Sequence, residues 1–199
     1  RDDGLPSPFV RTLIEADDGA LWAGTVNGVA KLVEGRFRAL PRPRGLPAST
    51  SDLMQDRRGA IWIATGGKVA RYRDGRYRLY DTEDGLLSGD VRCLLEDRRG
   101  HIWFGTTLGL SRLADGAIIS FSAIDGLPHD DVRDLLLAAD GSVWVATQAG
   151  VSRWDGRQFE DLPGQAGLLS PAIRRMAFDR DGVLWIGSPA GVNRHDGEV

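Results

Sequence analysis

The chain has little cysteine or histidine and no long apolar run, the features on which disulfide-linked, metal-binding and membrane-spanning proteins depend. Its 199 residues include one cysteine, Cys93, so neither an intrachain disulfide nor a cysteine-based metal site can form. Its three histidines, His101, His129 and His195, are far apart in the sequence and form no two-histidine metal motif. No apolar run approaches the length of a membrane span, and the N-terminus lacks the pattern of a signal peptide. We therefore expect no metal, no cofactor and no membrane contact by this segment.

The sequence also lacks an excess of either charge. Its 25 lysines and arginines are interleaved with 28 aspartates and glutamates, which gives a net charge of −3. Nucleic acids and anionic membranes are bound by basic patches, so this balance predicts no nucleic-acid partner. The run from Arg36 to Leu40 alternates arginine with apolar residues. It indicates an exposed outer strand whose charges discourage edge pairing, with a nucleic-acid patch as the alternative.

Apolar residues at helical spacing are scarce too, whereas a repeat of 40 or 41 residues runs through the chain. Each copy has a glycine three residues before a tryptophan, and after the tryptophan a Gly or Ala precedes a Thr or Ser. Successive tryptophans are 40, 41, 41 and 41 residues apart. The repeated tryptophans are Trp22, Trp62, Trp103, Trp144 and Trp185.

Each of the first four repeats contains four short apolar runs separated by turns rich in Gly, Asp and Pro, and this pattern predicts four antiparallel strands. One such sheet cannot bury both faces alone, whereas sheets stacked radially around an axis can. The sequence therefore predicts an all-β fold, a β-propeller of four-stranded blades, with a linear solenoid as the alternative. We expect a single domain over residues 1–199. Its repeats cover approximately residues 4–44, 45–84, 85–125, 126–166 and 167–199.

The fifth repeat stops before a fourth strand, because only two residues follow its turn at Asp196 and Gly197. We expect a last sheet without its outer strand, in a piece of a longer propeller. The closing interface would then be covered by further sequence or by self-association. The tryptophans are expected to pack between neighbouring blades rather than to bind ligand, and Cys93 to be a small buried residue.

One column of polar residues recurs near the start of each innermost strand. Arginine occupies it in four of the five repeats, and Ser51 occupies it in the second. If these strands line the channel, the guanidinium groups ring one mouth and favour a carboxylate or phosphate ligand. In the competing interpretation Asp90 and Asp131, two residues upstream of an arginine, neutralise the column. The candidate ligand-binding residues are Arg11, Arg92, Arg133 and Arg174, with His129, Asp130 and Asp131 from the fourth opening loop.

Three other stretches have both a functional and a plain interpretation. The run His129–Asp131 could bind a metal or act as acid and base, but a solvated turn is the simpler explanation. Gly66-Gly67-Lys68 lacks the spacing and the helix of a phosphate loop, so a flexible turn is expected. The apolar outer strand from Ala117 to Phe121 is a candidate protein contact. No nucleophile–base pair is evident, and we predict no catalytic residue.

Several phrases of the sequence resemble the two-component regulator propeller repeat, and the resemblance covers all five units. Members of that family are typically extracytoplasmic sensor regions of bacterial histidine kinases, hybrid two-component proteins or diguanylate cyclases. The resemblance implies a non-enzymatic, periplasmic module of a signal-transduction protein that senses a small-molecule or carbohydrate ligand or binds a protein partner. The phrases are Gly126–Val132, Asp140–Thr147, Gly150–Arg153 and Leu184–Ser188.

Two alternative functions remain open from the sequence. Streptogramin lyases are also propellers with comparable Asp-Gly-x-Leu-Trp units, but they usually carry Thr-Glu after the aromatic pair. This chain has Gly-Thr or Ala-Thr there in its first four repeats. The second alternative is a purely structural protein-binding scaffold. Any kinase or cyclase output would lie outside this chain.

Overall fold

The computed structural model describes residues 3–87, 89–164 and 167–195, and these fold into five antiparallel sheets. Within each sheet, consecutive strands of the chain are hydrogen-bonded neighbours. The first four sheets have four strands and the fifth has three among the described residues, so the predicted all-β propeller fold is confirmed. Two three-residue 3-10 turns, Thr82–Asp84 and Ala123–Asp125, lie in these ranges, and none of the described residues is in an α-helix. The predicted turn at Asp196 and Gly197 lies outside the described residues.

The described residues form nineteen short strands in five sheets, which we call blades one to five in chain order. Blade one contains β1 (Val10–Glu15), β2 (Leu21–Thr25), β3 (Gly28–Val33) and β4 (Arg36–Ala39), and blade two contains β5 (Thr50–Gln55), β6 (Ile61–Thr65), β7 (Val69–Arg73) and β8 (Arg76–Tyr80). Blade three contains β9 (Val91–Glu96), β10 (Ile102–Thr106), β11 (Gly109–Ala114) and β12 (Ala117–Phe121). Blade four contains β13 (Val132–Leu137), β14 (Val143–Thr147), β15 (Gly150–Trp154) and β16 (Phe159–Asp161), and blade five contains β17 (Arg175–Phe178), β18 (Leu184–Ser188) and β19 (Gly191–His195).

The cores lie between blades, because each sheet buries its apolar side chains against its neighbours rather than within itself. Trp103 of blade three, which is fully buried, shares a cluster with Val132 and Leu135 of blade four. Trp62 packs in the same way against Leu94 of blade three. Burial of such aromatic and branched side chains, repeated from blade to blade, stabilises the stack.

Burial of the repeated tryptophan depends on the blade that follows it. Trp22, Trp62 and Trp103 are 5%, 2% and 0% exposed, and each faces a following blade. Trp185 is 39% exposed, so it departs from the expectation that all five tryptophans pack between blades. The reason is that no described blade covers its face of the fifth sheet.

An aspartate six residues before the tryptophan accepts a hydrogen bond from the indole in three blades. The carboxylates of Asp56 and Asp97 accept from Trp62 Nε1 at 2.8 Å and Trp103 Nε1 at 3.0 Å. In blade one the equivalent position is Ala16, and the buried Trp22 Nε1 has no hydrogen-bond partner among the described residues. A buried indole N–H without an acceptor costs stability.

Replacing Ala16 with aspartate should therefore stabilise the protein, by about 1 kcal/mol. The turn already has the right shape, because Ala16 N donates to Ala20 O at 2.9 Å just as Asp56 N donates to Ala60 O at 2.9 Å. Urea unfolding of Ala16→Asp and of wild type measures the difference, and Ala16→Asn supplies an acceptor without the charge. An unchanged or reduced unfolding free energy in both variants would contradict this account of the turn.

Candidate ligand-binding site

The two ends of the propeller are built from different loops. At one end, the opening loops of blades one, three and four are hydrogen-bonded to the turns that follow their tryptophan strands. Val26 N donates to Phe9 O, Thr107 N to Asp90 O, and Gln148 N to Asp131 O, at 3.0–3.1 Å. We call this the opening-loop end, and we call the opposite end, which carries the turns before the tryptophans, the turn end.

At the opening-loop end, the residues of this column in blades one to four lie on β-bulges. In blade one Val10 pairs with Thr25 and Thr12 pairs with Gly24, so Arg11 has no partner on β2. The same shift occurs at Ser51, Arg92 and Arg133 in blades two to four. A bulge bends the strand and redirects the extra residue, which is why bulges are frequent beside binding sites. Here the four bulges redirect residues of the inner strands of blades one to four towards one space, and Arg174 of blade five comes directly before β17.

That space is a cavity of about 550 Å³ at the opening-loop end. Every blade contributes to it, and five arginines but only one aspartate are among its lining residues. A concave site lined mainly by one sign of charge attracts ligands of the opposite sign. The lining residues are Arg11, Ser49, Ser51, Gly66, Asp90, Val91, Arg92, Arg133, Arg174 and Arg175.

Asp131 ties together two of the four predicted arginines. One carboxylate oxygen lies 3.4 Å from a guanidinium nitrogen of Arg92, and the other accepts from Arg133 at 2.7 Å. Arg133 also donates to the side-chain oxygen of Gln148. The predicted partner of Arg92 was Asp90 of its own blade, but the salt bridge comes from Asp131 of the next blade. The carboxylate of Asp131 therefore contacts the inner strand of blade three as well as that of its own blade.

The half-buried carboxylate of Asp52 and the buried carboxylate of Asp134 fix the inner strands next to the arginine column. Asp52 accepts from Leu94 N of the following blade at 2.9 Å, and Asp134 accepts from Met176 N at 2.7 Å. Burial raises the pKa of both carboxyl groups, although these hydrogen bonds oppose the rise. Asp134 also forms a 2.9 Å salt bridge with Arg175, which opposes it further.

The predicted residues of the fourth opening loop do not converge on the cavity as a group. His129 is exposed, and its Nδ1 accepts from Asp131 N at 2.9 Å. Asp130 accepts from Ala123 N at 2.7 Å, so its carboxylate stabilises the preceding turn. The described ranges contain no group of three or more His, Cys, Asp and Glu residues that could hold a metal ion.

The other histidines and the glycine-rich turn have local partners. His101 lies at the turn end, where its Nδ1 is 2.9 Å from Asp97 Oδ2. His195 lines a groove between blades four and five. In the turn after Gly66, Lys68 forms a 3.0 Å salt bridge with Asp81, so this lysine holds the turn against the end of its own blade.

Sequence reasoning missed Arg175 and Ser49 as lining residues, and it missed the bulges. When the repeats are aligned, Arg175 occupies the same position as Thr12, Asp52, Cys93 and Asp134. Because these residues differ in type, the alignment does not point to a binding role for Arg175. Ser49 belongs to a loop of irregular sequence. A bulge adds one residue without a change in the repeat length, so spacing alone cannot reveal it.

Comparison with protein families identifies the repeat. The model described as two component regulator propeller matches residues 4–27, 85–107, 126–149 and 167–190. No curated protein matches the chain. None of the described helices is long and apolar enough to span a membrane.

Solved structures with the same fold include signalling proteins and enzymes. The chain is similar to the extracellular domain of BT3049 from B. thetaiotaomicron, which is described as a hybrid two component system. The two structures have a TM-score of 0.84 and 22% sequence identity over 95% of this chain. It spans only 28% of that domain. Virginiamycin B lyase from Staphylococcus aureus has a TM-score of 0.73 and 17% identity, over 98% of this chain and 70% of the lyase. A gluconolactonase from Xanthomonas campestris has a TM-score of 0.64 and 18% identity, over 94% of this chain and 71% of the enzyme. At these identities the likeness concerns the fold.

Proposed function

Because four of its five repeats match the two component regulator propeller model, we propose that the chain is a ligand-sensing module of a bacterial signal-transduction protein. It binds a small ligand, carbohydrates included, in the cavity at the opening-loop end. It works outside the cytoplasm, as the extracellular domains of similar fold do. Signal output belongs to other parts of such proteins.

One observation carries this proposal: a single cavity takes lining residues from all five blades. Ligand sites commonly form where loops from several elements converge, because one loop rarely supplies enough directed polar groups. A ligand held there would contact several blades at once. Its binding would therefore change how neighbouring blades pack, which is a change that an adjoining domain could detect.

The test is a binding screen with a variant that fills the cavity. Thermal unfolding of the chain is measured against neutral and acidic mono- and oligosaccharides, and hits are confirmed by calorimetry. We expect at least one compound to raise the unfolding temperature of wild type. Ser49→Trp, which adds an indole to the cavity lining, should abolish that rise.

Arg157→Trp is the matched control, since Arg157 lies in an exposed turn at the turn end and should bind as wild type does. A ligand that binds Ser49→Trp and wild type equally would place the site elsewhere. Conversion of a bound compound to products, followed by mass spectrometry, would favour an enzyme of the lyase type over a sensor. A chain that binds no small molecule at all would favour the scaffold function.

A further inference from the structure

The arginines that line the cavity differ in whether their charge is already paired. Arg92 and Arg133 share Asp131, and Arg175 is held by Asp134 at 2.9 Å. Arg11 and Arg174 form no salt bridge in the part of the chain that the structure describes, and both are exposed. The unpaired arginines belong to blades one and five, the first and last blades of the described chain.

The paired arginines are poor recognition groups for an anion. A ligand carboxylate near Arg92 or Arg133 would have to approach Asp131, whose Oδ1 is already buried. Repulsion between the two carboxylates would offset the attraction of the guanidinium groups. The ion pair instead holds the rim in place, because Asp131 links blade three to blade four.

Arg11 and Arg174 have the opposite properties. Each presents a planar guanidinium group, which can donate two parallel hydrogen bonds to a carboxylate or phosphate. Their side chains line the same cavity, and Arg11 lies on a bulge. The hydroxyl of Ser51, which occupies the arginine position in blade two, is engaged with Val91 O at 2.5 Å. The unsatisfied cationic donors of the column are therefore concentrated on blades one and five.

We propose that Arg11 and Arg174 form an oxyanion site, and that the ligand of this cavity carries a carboxylate or phosphate group. The ion-paired group Arg92–Asp131–Arg133 acts as the fixed wall beside it. This inference rests on the proposed function for the existence of a ligand, and it adds the ligand's chemical class and the two residues that recognise it. A neutral sugar would gain little from either guanidinium group.

The experiment compares matched probes and matched variants by calorimetry at low ionic strength. The probes are glucuronate and glucose, which differ in one carboxylate, and inorganic phosphate and succinate, which separate the phosphate and carboxylate classes. The double variant Arg11→Ala with Arg174→Ala is compared with Arg76→Ala with Arg157→Ala. The control pair removes the same charge from exposed positions on an outer strand and in a turn.

We expect at least one anionic probe to bind wild type and the control pair, with affinity reduced at least tenfold in Arg11→Ala with Arg174→Ala. Glucose should bind more weakly than glucuronate to wild type. Equal affinity of the double variant for the anions would overturn the inference, and so would anion binding to wild type weaker than roughly 1 mM. If glucose or a neutral oligosaccharide binds with an affinity that the Arg11 and Arg174 substitutions do not change, this inference is overturned and the proposed sensing function stands. Thermal unfolding confirms that each variant is folded, and glutamine, which is uncharged and closer in size to arginine, replaces alanine where it is not.

Discussion

Replacing Trp103 with alanine should lower the free energy of unfolding by about 3–5 kcal/mol. The side chain is fully buried between blades three and four, and its indole N–H donates to Asp97 at 3.0 Å. Truncation leaves a large cavity at a blade interface and removes one of the two contacts of Asp97 Oδ2, which keeps His101 Nδ1 at 2.9 Å. Urea unfolding monitored by circular dichroism measures the loss.

Trp185→Ala is the matched control because it removes the same residue from the same position of the repeat. Trp185 is 39% exposed and no described blade covers it, so its loss should cost about 1 kcal/mol. Comparable losses in the two variants would contradict the view that the tryptophans stabilise the interface with the following blade. A smaller loss of unfolding free energy in Trp103→Ala than in Trp185→Ala would reverse that view.

Gly105→Ala should destabilise the protein by about 1–3 kcal/mol through overpacking. A Cβ atom at Gly105 would lie 2.4 Å from Cys93 Sγ and 2.7 Å from Val132 Cγ1, both of which are buried. Neither atom can withdraw without moving the interface between blades three and four. Chemical unfolding of the variant gives the change directly.

Gly187→Ala tests the same substitution where the neighbouring blade is absent from the described chain. Its nearest contact would be Arg175 O at 3.5 Å, an ordinary distance, and stability should change by less than about 0.5 kcal/mol. Blades two and four already have Ala64 and Ala146 at this position. A cost at Gly187 equal to that at Gly105 would mean that backbone flexibility, not packing, explains the glycine.

The sequence predicted the fold well because every blade repeats the same local signals. Glycine turns and short apolar runs specify strands, and the 41-residue period specifies that equivalent strands stack. The period also predicted three strands for blade five, and three are present among the described residues. It did not predict the exposure of Trp185, because burial depends on a neighbouring blade and not on the repeat itself.

The candidate site was less predictable. A shared residue type identified the arginine column, and the structure places Arg11, Arg92, Arg133 and Arg174 around one cavity. The pairing of each arginine depends on contacts between neighbouring blades, whose equivalent residues are about 40 positions apart in the sequence. The salt bridge between Asp131 and Arg92 is an example. Such contacts depend on side-chain geometry that spacing does not specify. The sequence offered Asp90 as the partner of Arg92, on proximity in the chain alone.

The most direct test of the sensing site is the map of amide chemical-shift changes in ¹⁵N-labelled chain when a ligand from the screen is added. Changes should concentrate at the opening-loop end, at Arg11, Ser49, Ser51 and Arg174, with smaller changes along the inner strands. Amides at the turn end, such as those of His101 and Asp97, should stay unchanged. Shift changes confined to the turn end, with the cavity residues unaffected, would contradict the account.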